Sequence, residues 1–379
     1  METIGIGLLG YGAIGKIHTL CYKELDLLYP GQLPKIELAA VCTSKSETAQ
    51  RAAKDGGYRQ WFAEVSALIK HPDVTIVDCS LPNFAHKSAI LTAIAAKKHV
   101  YCEKPLALNG TEAREITQAA AEAGIQIGIT FNYRFVPALM RAYELIQAGA
   151  LGPIYRFRAE YLHAGYQDPE RPLSWRTAKD KSGGGALVDL GAHVIDLIRH
   201  FLGEYDSVQA FTQTYIQERP VARGAQVKGR VTVDDAAWLQ VKLKNGAMGT
   251  IEASRFATGA SDDIRLEICG EKGALRFHLM DANWLYWFDA SRKGGNFGGD
   301  RGWTRLETIQ HYPGAAIPYP RAIIGWHRTH AENQYTFLKA IVEGKTPQPN
   351  VTDGLRTQLA LDAAYASAEH GAWVKVAQE

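Results

Sequence analysis

The stretch that most constrains the fold of this chain is a glycine-rich turn near its N-terminus. The apolar run 4–9 is typical of a buried parallel strand, and residues 16–28 carry apolar side chains at helical spacing. Between them, Gly10 would permit a tight bend, Gly12 the close approach of a pyrophosphate, and Gly15 close packing of helix on strand. The pattern predicts a dinucleotide site, whereas the alternative is a βα turn that binds nothing. The residues predicted to line the site are Gly10, Gly12, Ala13, Ile14 and Gly15.

Composition limits the class of protein. With 379 residues, 46% hydrophobic and 22% charged, the chain is long enough for two globular domains. Its net charge of +2 gives no reason to expect nucleic acid or an anionic membrane as a partner. We find no apolar run of the roughly 20 residues that a membrane-spanning helix needs. The five cysteines are scattered and lack a CxxC pair, which predicts reduced thiols, a cytoplasmic protein and no metal.

The order of strand-like and helix-like segments predicts an α/β protein of two domains. Residues 1–130 alternate between the two patterns, which predicts a Rossmann domain, a parallel sheet with helices on both faces. Residues 131–379 contain successive strands without helices between them, which predicts an α+β domain with a large, mostly antiparallel open sheet. The C-terminal helices of this second domain could pack back on the first. Asn83 and Thr111 are predicted helix N-caps.

The loops that follow the predicted parallel strands are the places to search for ligand contacts. After the second strand, Thr43, Ser44 and Lys45 stand where an NAD-specific site usually has an acidic residue for the ribose hydroxyls. Hydroxyl groups followed by a lysine suit a 2′-phosphate better, so among the NAD(P) cofactors the sequence favours NADP. The alternative is that Thr43 or Ser44 only caps the next helix.

A second loop follows the strand that ends at Cys79 and leads into another helix. It would lie along the nicotinamide half of the cofactor. Its candidate contact residues are Ser80, Pro82, Asn83 and His86. His86 could equally be a surface residue of the helix, an interpretation that is favoured over a catalytic role.

A third loop follows the strand that ends at Cys102, and it begins Glu103-Lys104-Pro105. Packing does not easily explain this lysine, because lysine is almost never fully buried without a partner. Over the nicotinamide ring, the ammonium group of Lys104 could hold a substrate hydroxyl and stabilise the developing alkoxide, with Glu103 as its partner. The alternative is a loop lysine that reaches water.

One apolar helix stands apart in the second half of the chain. It follows the glycine run 183–185, whose backbone could approach a ligand closely. Asp189 and His193 are four residues apart and therefore share one face of the helix. An imidazole beside a carboxylate can move a hydroxyl proton near neutral pH, whereas the alternative is a structural pair. Asp196 continues the face, but the spacing suggests no third ligand and we reject a metal site.

Taken together, these motifs resemble the family of glucose-fructose oxidoreductase, inositol 2-dehydrogenase and the rhizopine-catabolism protein MocA. The resemblance covers nearly the whole chain, and it is the order and spacing of the motifs that make it specific. The motifs are Gly10-x-Gly12-x-x-Gly15, Pro82-Asn83-x-x-His86, Glu103-Lys104-Pro105, Asn132-Tyr133-Arg134, the glycines before Asp189-x-x-x-His193, and Asp353-Gly354-Leu355-Arg356.

The resemblance implies oxidation or reduction of a secondary alcohol on a sugar or cyclitol, without metal, by homodimers or homotetramers joined through the second sheet. It makes Lys104 the active-site lysine, Asp189 the carboxylate that orients the substrate, and His193 the proton-transfer residue. In several relatives the Lys-Pro peptide is cis, so Lys104–Pro105 is a candidate cis peptide here. Thr43 departs from the family's frequent acidic residue, which puts a preference for NAD in doubt.

The resulting hypothesis is that His193 takes the proton of a ring hydroxyl while the hydride on the same carbon moves to the nicotinamide. Lys104 would hold the alkoxide and Asp189 a neighbouring hydroxyl, which requires the three side chains to converge over the nicotinamide. Further cofactor contacts are assigned to Glu103, Lys104, Asn132 and Arg134. Further substrate contacts are assigned to Arg134, Tyr161, His163, Tyr166, Trp175 and Arg176. Each aromatic residue among them could instead fill the core.

Two other functions compete with this hypothesis. The chain could be a regulator that senses the NADP redox ratio without turnover, although a regulator has no need of a lysine and an Asp-His couple beside the ring. It could also be a redox-neutral enzyme that oxidises, eliminates or hydrolyses, and then reduces again on a tightly held cofactor.

Overall fold

The structure, a computed structural model, describes residues 3–308, 312–317 and 325–378. The chain divides into two compact units, one of residues 1–135 with 310–355 and the other of residues 136–309 with 356–379. The helices of the described residues are α1 Ala13–Leu28, α2 Ser46–Gly56, α3 Val65–Lys70, α4 His86–Ala95, α5 Gly110–Ala123, α6 Pro137–Gln147, α7 Lys179–Ser182, α8 Ala192–Leu202, α9 Trp326–Val342 and α10 Val351–His370. The strands are β1 Thr3–Leu9, β2 Lys35–Cys42, β3 Gln60–Phe62, β4 Ile76–Cys79, β5 His99–Cys102, β6 Ile127–Ile129, β7 Ile154–Leu162, β8 Tyr205–Gln213, β9 Glu218–Pro220, β10 Lys228–Arg230, β11 Ala236–Leu243, β12 Met248–Ser254, β13 Asp263–Gly270, β14 Gly273–His278, β15 Trp284–Asp289, β16 Trp303–Glu307 and β17 Val374–Lys375.

The first unit is built on a six-stranded sheet in the order β3-β2-β1-β4-β5-β6. All neighbouring strands run parallel. Strand β1 is buried almost along its whole length, as the continuous apolar run 4–9 requires for a strand covered on both faces. The strand order reverses between β1 and β4, and in such sheets ligands bind beyond the carboxyl ends at that point. The predicted parallel Rossmann sheet is confirmed.

The two predicted helix caps in this unit are wrong. The N-cap of α5 is Asn109, whose side-chain oxygen accepts from the backbone N–H of Glu112 at 2.9 Å, so that Thr111 lies inside the helix. Asn83 lies in the 3-10 turn Asn83–Ala85, for which Pro82 is the N-cap. Sequence signals locate helix starts only to within a few residues, because several polar side chains near a start can cap it.

The second unit is built on a nine-stranded sheet in the order β16-β15-β14-β13-β7-β12-β11-β8-β17. Its neighbouring strands are antiparallel except for the pair β12 and β7, which is parallel. Strands β9 and β10 form a separate antiparallel ribbon. Helix α8 packs against β7. The predicted large, mostly antiparallel sheet is confirmed.

Two further sequence expectations can be compared with the described residues. None of the described helices combines the length and the hydropathy that a membrane crossing requires. All five cysteines are free thiols, and four of them are buried. The prediction that they are unbridged is therefore confirmed.

Candidate active site

The glycine turn between β1 and α1 combines two tight positions with one open position. Gly10 has φ of +90°, and a Cβ there would lie 2.6 Å from the carbonyl oxygen of Ser80. A Cβ on Gly15 would lie 2.2 Å from the carbonyl oxygen of Gly10. A Cβ on Gly12 would meet nothing within 4 Å. Gly12 thus borders open space at the N-terminus of α1, where unpaired backbone N–H groups and the helix dipole suit the phosphates of a dinucleotide.

Side chains added at Gly12 and at Gly15 should have opposite effects on cofactor binding and on stability. Gly12→Val should weaken cofactor binding by about tenfold or more, because its side chain fills the space that a pyrophosphate needs. Its melting temperature should change little, because the side chain meets no protein atom. Gly15→Ala should lower the melting temperature, because its methyl group collides with a backbone carbonyl. Fluorescence titration with NADH and NADPH and thermal unfolding measure both effects, and unchanged cofactor affinity in Gly12→Val would contradict the prediction.

The loop after β2 holds the residues predicted to select the cofactor. Lys45 is the N-cap residue of α2, without a side-chain capping bond, so the alternative that Thr43 or Ser44 occupies that position is wrong. The Thr43 hydroxyl instead donates to the Lys45 carbonyl at 3.1 Å and lies 2.5 Å from the hydroxyl of Thr48. Ser44 and Lys45 are exposed. Their side chains therefore stand in solvent at the carboxyl end of β2, next to the glycine turn.

His86 is fully buried, so the interpretation that it is a surface helix residue is wrong. Its Nδ1 lies 2.9 Å from the carbonyl oxygen of Pro105, and its Nε2 lies 2.9 Å from that of Leu81. These contacts join the start of α4 to the loop that carries Lys104. The Lys104–Pro105 peptide is cis, as the resemblance implied.

The other cofactor candidates of this unit are engaged with the protein. Ser80 donates to Asp78 at 2.9 Å, and Asn132 donates to Thr329 at 3.0 Å. Arg134 is buried, with its guanidinium 3.1 Å from a carboxylate oxygen of Asp353. Asn83 is buried, whereas Pro82, Glu103 and Lys104 are partly exposed. Their roles in cofactor binding stay predictions.

In the second unit, Asp189 lies in a π-helical turn, Leu187–Gly191, that leads into α8. A π turn has slightly more residues per turn than an α turn, so residues four apart still lie on nearly the same side. Between residues 184 and 199 every residue is buried except Asp189, whose side chain is 32% exposed. Its Oδ2 accepts from Nη2 of Arg255 at 2.9 Å. A charged carboxylate is thus presented at the surface of an otherwise buried segment.

His193 shares its surroundings with two of the predicted substrate contacts. Its ring lies 5.8 Å, centroid to centroid, from the ring of Tyr161. The Tyr161 hydroxyl donates to Oδ1 of Asp262 at 2.6 Å, and Nε2 of His163 lies 3.2 Å from the same oxygen. The structure therefore brings Tyr161 and His163 together at Asp262, and it places the ring of His193 beside that of Tyr161.

The remaining substrate candidates, Tyr166, Trp175 and Arg176, make contacts between arginine and aromatic side chains. The guanidinium of Arg255 lies 4.4 Å from the ring of Tyr166, which links Tyr166 to the partner of Asp189. Trp175 and Arg176 stack on each other at 4.3 Å in a 3-10 turn. Tyr166 is thus joined to the Asp189 group, and Trp175 is covered by its own neighbour.

The glycine run before Asp189 packs on the protein, so the interpretation that it approaches a ligand is wrong for Gly184 and Gly185. A Cβ on Gly185 would lie 1.8 Å from the carbonyl oxygen of Asp234, and one on Gly184 would lie 2.0 Å from the hydroxyl of Tyr365. The Asp234 carboxylate accepts from the backbone N–H groups of Gly185 and Leu187, both at 2.8 Å. Asp234 therefore caps the segment that carries Asp189.

The sequence interpretation missed Arg255, Asp234 and Asp262. Arg255 directly follows β12, much as Glu103 and Lys104 follow β5. Asp234 lies two residues before the strand β11. A charged residue next to the end of a strand is the sequence signal that Arg255 and Asp234 share with Lys104.

Among the described residues, two groups of three side chains have possible metal-ligand atoms within 4.8 Å of one another: Cys79, His86 and Cys102, and His18, Glu103 and His330. The ring nitrogens of His86 face two carbonyl oxygens, and those of His18 face two carboxylates. Neither group includes Asp189, His193 or Asp196, the residues considered for a metal from the sequence.

A parallel Rossmann sheet with this glycine turn, joined to a second sheet unit that carries an Asp-His couple, defines the class of dinucleotide-dependent oxidoreductases. Comparison with known proteins gives the family. Residues 4–131 match the oxidoreductase family with an NAD-binding Rossmann fold, and residues 139–276 match the GFO/IDH/MocA C-terminal domain. The chain belongs to the Gfo/Idh/MocA family of oxidoreductases, so the resemblance read from the motifs and the prediction of an enzyme are confirmed.

Several relatives are similar over nearly their whole length. Levoglucosan dehydrogenase of Pseudarthrobacter phenanthrenivorans is 34% identical over 392 residues, which cover 100% of this chain and 99% of that protein. The scyllo-inositol 2-dehydrogenase (NADP(+)) of Bacillus subtilis is 28% identical over 332 residues, which cover 85% of this chain and 86% of that protein. A solved structure of levoglucosan dehydrogenase in complex with NADH and levoglucosan has a TM-score of 0.94, 34% identity and full coverage of both chains.

Proposed function

We propose that this protein transfers a hydride between NAD(P) and a secondary hydroxyl group of a sugar, a glycoside or a cyclitol. The observation that carries the proposal is the environment of Asp189 and His193. A partly exposed carboxylate, held by Arg255, lies four residues from a histidine in an otherwise buried segment. The contact with Arg255 offsets the cost of burying the guanidinium and fixes the position of the carboxylate, which suits a group that orients a ligand.

The nicotinamide, when bound, supplies the hydride acceptor at C4. During oxidation, the imidazole of His193 takes the proton of the substrate hydroxyl, and in the reverse direction it returns the proton. The ammonium group of Lys104 donates to the same oxygen and stabilises the negative charge that develops there. The carboxylate of Asp189 accepts from a neighbouring hydroxyl and thereby fixes the orientation of the ring.

Within this class we propose an anhydro sugar as the first substrate to test. The support is the 34% identity to levoglucosan dehydrogenase over the full chain and the TM-score of 0.94 to its complex with levoglucosan. The ring of Tyr161, beside His193, is suited to the apolar face of such a sugar. myo-Inositol, scyllo-inositol, glucose and glucosides complete the panel.

The experiment that tests the proposal measures the absorbance of reduced nicotinamide while this panel is screened with NAD and with NADP. We expect turnover of at least one cyclic polyol or sugar with a free secondary hydroxyl. Binding of cofactor without any turnover would favour the regulator. Product formation without a net change in absorbance would identify the redox-neutral enzyme.

The cofactor site is proposed to accept NADP. No acidic side chain stands among Thr43, Ser44 and Lys45, so the 2′-phosphate meets no carboxylate there and finds an ammonium group and hydroxyls. One relative is named for NADP and another was solved with NADH. The ratio of kcat/KM for the two cofactors tests the preference for NADP read from the sequence, and a failure to use NADP would contradict it.

Arg255→Met is expected to lower kcat/KM for the substrate by about 10- to 100-fold, because Asp189 loses a charged hydrogen bond worth about 1.5–3 kcal/mol. Cofactor affinity should stay unchanged, because Arg255 lies in the second unit. Arg219→Met is the matched control, since Arg219 is also buried and faces Tyr166, but donates to backbone carbonyls. Equal losses in both variants would show that the contact with Asp189 is not the cause.

We also propose a homodimer or homotetramer that forms through the open face of the nine-stranded sheet. Large apolar side chains on this face are exposed, with Phe211 at 58%, Met248 at 49% and Trp238 at 37%. Phe211 and Trp238 are direct neighbours across β8 and β11, so they form a patch of the kind that marks interfaces. Light scattering of the wild type and of Phe211→Glu tests this proposal, and a monomeric wild type contradicts it.

A further inference from the structure

A buried charged network lies beneath the loop that carries Lys104, and the proposed reaction does not yet use it. Its centre is His18, which lies in α1 three residues after Gly15 and is fully buried. Its Nδ1 lies 3.0 and 2.9 Å from the two carboxylate oxygens of Asp78. Its Nε2 lies 3.2 Å from Oε1 of Glu103. One imidazole thus joins the carboxylate of Asp78, in β4, to that of Glu103, which directly follows the neighbouring strand β5.

The contacts determine the protonation state of His18. A carboxylate only accepts hydrogen bonds, and a neutral imidazole would point a lone pair at one of the two. Both ring nitrogens must therefore carry a proton, which makes His18 an imidazolium ion between two anions. Burial works against this charge, but Asp78 and Glu103 outweigh it and raise the pKa of His18 to about 10. Burial also opposes ionisation of Glu103, yet the ion pair with His18 lowers its pKa to about 2.

The remaining groups around His18 are consistent with this charge. Tyr22 and Ser80 donate to the Asp78 carboxylate at 2.8 and 2.9 Å. These two hydrogen bonds hold the carboxylate in place against Nδ1 of His18. His330 lies 5.8 Å from His18, and burial together with the charge of His18 lowers its pKa to about 3, so His330 is neutral. The titratable and charged groups around His18 are Tyr22, Asp78, Tyr101, Glu103 and His330. The charge of Lys104 acts on Glu103 and on His330.

The backbone is held by side chains on both sides of Lys104. Before the lysine, the Glu103 N–H donates to the Cys79 carbonyl at 3.0 Å and its side chain faces His18. After the lysine, the Pro105 carbonyl lies 2.9 Å from Nδ1 of His86.

We propose that His18, held as an imidazolium between Asp78 and Glu103, is a positioning residue for Lys104. It attaches the loop that carries the lysine to α1, the same helix whose N-terminus borders the open space at Gly12. The helix that receives the cofactor phosphates thereby also sets the position of the lysine. This inference rests on the proposed function for the role of Lys104, but the charge and the attachment of His18 can be measured without turnover.

The first test is the ¹⁵N spectrum of the histidine rings in the wild-type protein, with His18→Asn used to assign the signal. Both ring nitrogens of His18 should keep their protons from pH 6 to pH 9, beyond the range in which an ordinary histidine loses one. A neutral His18 in that range overturns the proposal. Because this measurement uses the wild type, it holds even if a variant does not fold.

The second test follows Lys104 itself by ¹³C-methylation of the lysines and assignment with Lys104→Arg. In His18→Asn the Lys104 signal should shift, kcat should fall by about tenfold or more, and substrate KM and cofactor Kd should change by less than about threefold. Tyr58→Phe is the control, because Tyr58 is buried in the same unit and bonds Thr19, the neighbour of His18, without touching either carboxylate.

The outcomes separate this inference from the proposed function. A Lys104 signal that moves in a protein without any turnover supports the positioning and removes the function. An unmoved Lys104 signal and an unchanged kcat in an active enzyme remove the positioning and leave the function. Equal losses of kcat in His18→Asn and Tyr58→Phe would also remove the positioning.

Stability should follow the charge of His18. Folding raises the pKa of His18 above its ordinary value of 6.5, so its contribution is fully present below about pH 6.5 and is lost as the pH rises through about 10. The melting-temperature difference between the wild type and His18→Asn should therefore be large at pH 6 and shrink towards pH 10. A difference that does not depend on pH would contradict the imidazolium.

Discussion

His193→Ala is expected to lower kcat by about 10²- to 10⁴-fold, the range that a positioned general acid-base contributes. The proton of the substrate hydroxyl then has no acceptor at the required place, so hydride transfer has to proceed through a poorly stabilised alkoxide. Cofactor affinity should stay within about twofold of the wild type, because His193 lies in the second unit and not in the Rossmann unit. Steady-state kinetics with a substrate from the screen and a fluorescence titration with NADH measure the two effects.

His200→Ala is the matched control for this prediction. His200 lies in the last turn of the same helix, α8, and stacks on Tyr143 at a ring distance of 4.2 Å. Its removal should leave kcat near the wild-type value. Unchanged turnover in His193→Ala would remove the assignment of the acid-base, and equal losses in both variants would point to a general effect on the helix.

Lys104→Met should lower kcat by about 10²- to 10³-fold, as expected when one donor to a developing oxyanion is lost. Methionine keeps much of the length of the side chain but has no ammonium group. The loss should be in kcat more than in KM, because the alkoxide charge develops only on the way to the transition state. Lys98→Met is the control, since Lys98 precedes the same strand, β5, at its other end and donates to the backbone carbonyl of Val74.

The double variant Lys104→Met/His193→Ala tests whether both residues act on one hydroxyl group. Residues that act as a unit show combined losses far smaller than the product of the single losses. Multiplicative losses would mean that the two side chains serve separate steps, and the proposed division of roles would then be wrong.

Much of the first unit could be predicted because its signals are local. A continuous apolar run followed by Gly10, Gly12 and Gly15 predicts strand, turn and helix from residues that are neighbours in the chain. The position of Lys104, directly after a buried strand, followed from the rule that ligands bind at the carboxyl ends of parallel strands. The structure and the family comparison confirm the parallel Rossmann sheet, and the role of Lys104 stays a prediction.

The errors arose where burial or capping depended on distant or competing partners. His86 was expected at the surface of a helix, yet it is buried, and its two ring nitrogens face the carbonyl oxygens of Leu81 and Pro105. The glycines 184 and 185 suggested a ligand, whereas the backbone of Asp234 and the hydroxyl of Tyr365 occupy the space beside them. Asn109 is the N-cap of α5, so the helix begins earlier than a cap at Thr111 would place it.

By itself, the sequence determined the alternation of strands and helices, the glycine turn and the charged residues that follow apolar strands, because sterics and hydrophobic periodicity act over a few residues. Only the tertiary structure decided which charges meet. His18 and Asp78 are 60 residues apart and Arg255 and Asp189 are 66 apart. They pair because the order of strands, and the packing of α1 and of the π-helical turn on the sheets, make them neighbours. No local pattern encodes that order, since it follows from how whole strands and helices bury their apolar faces together.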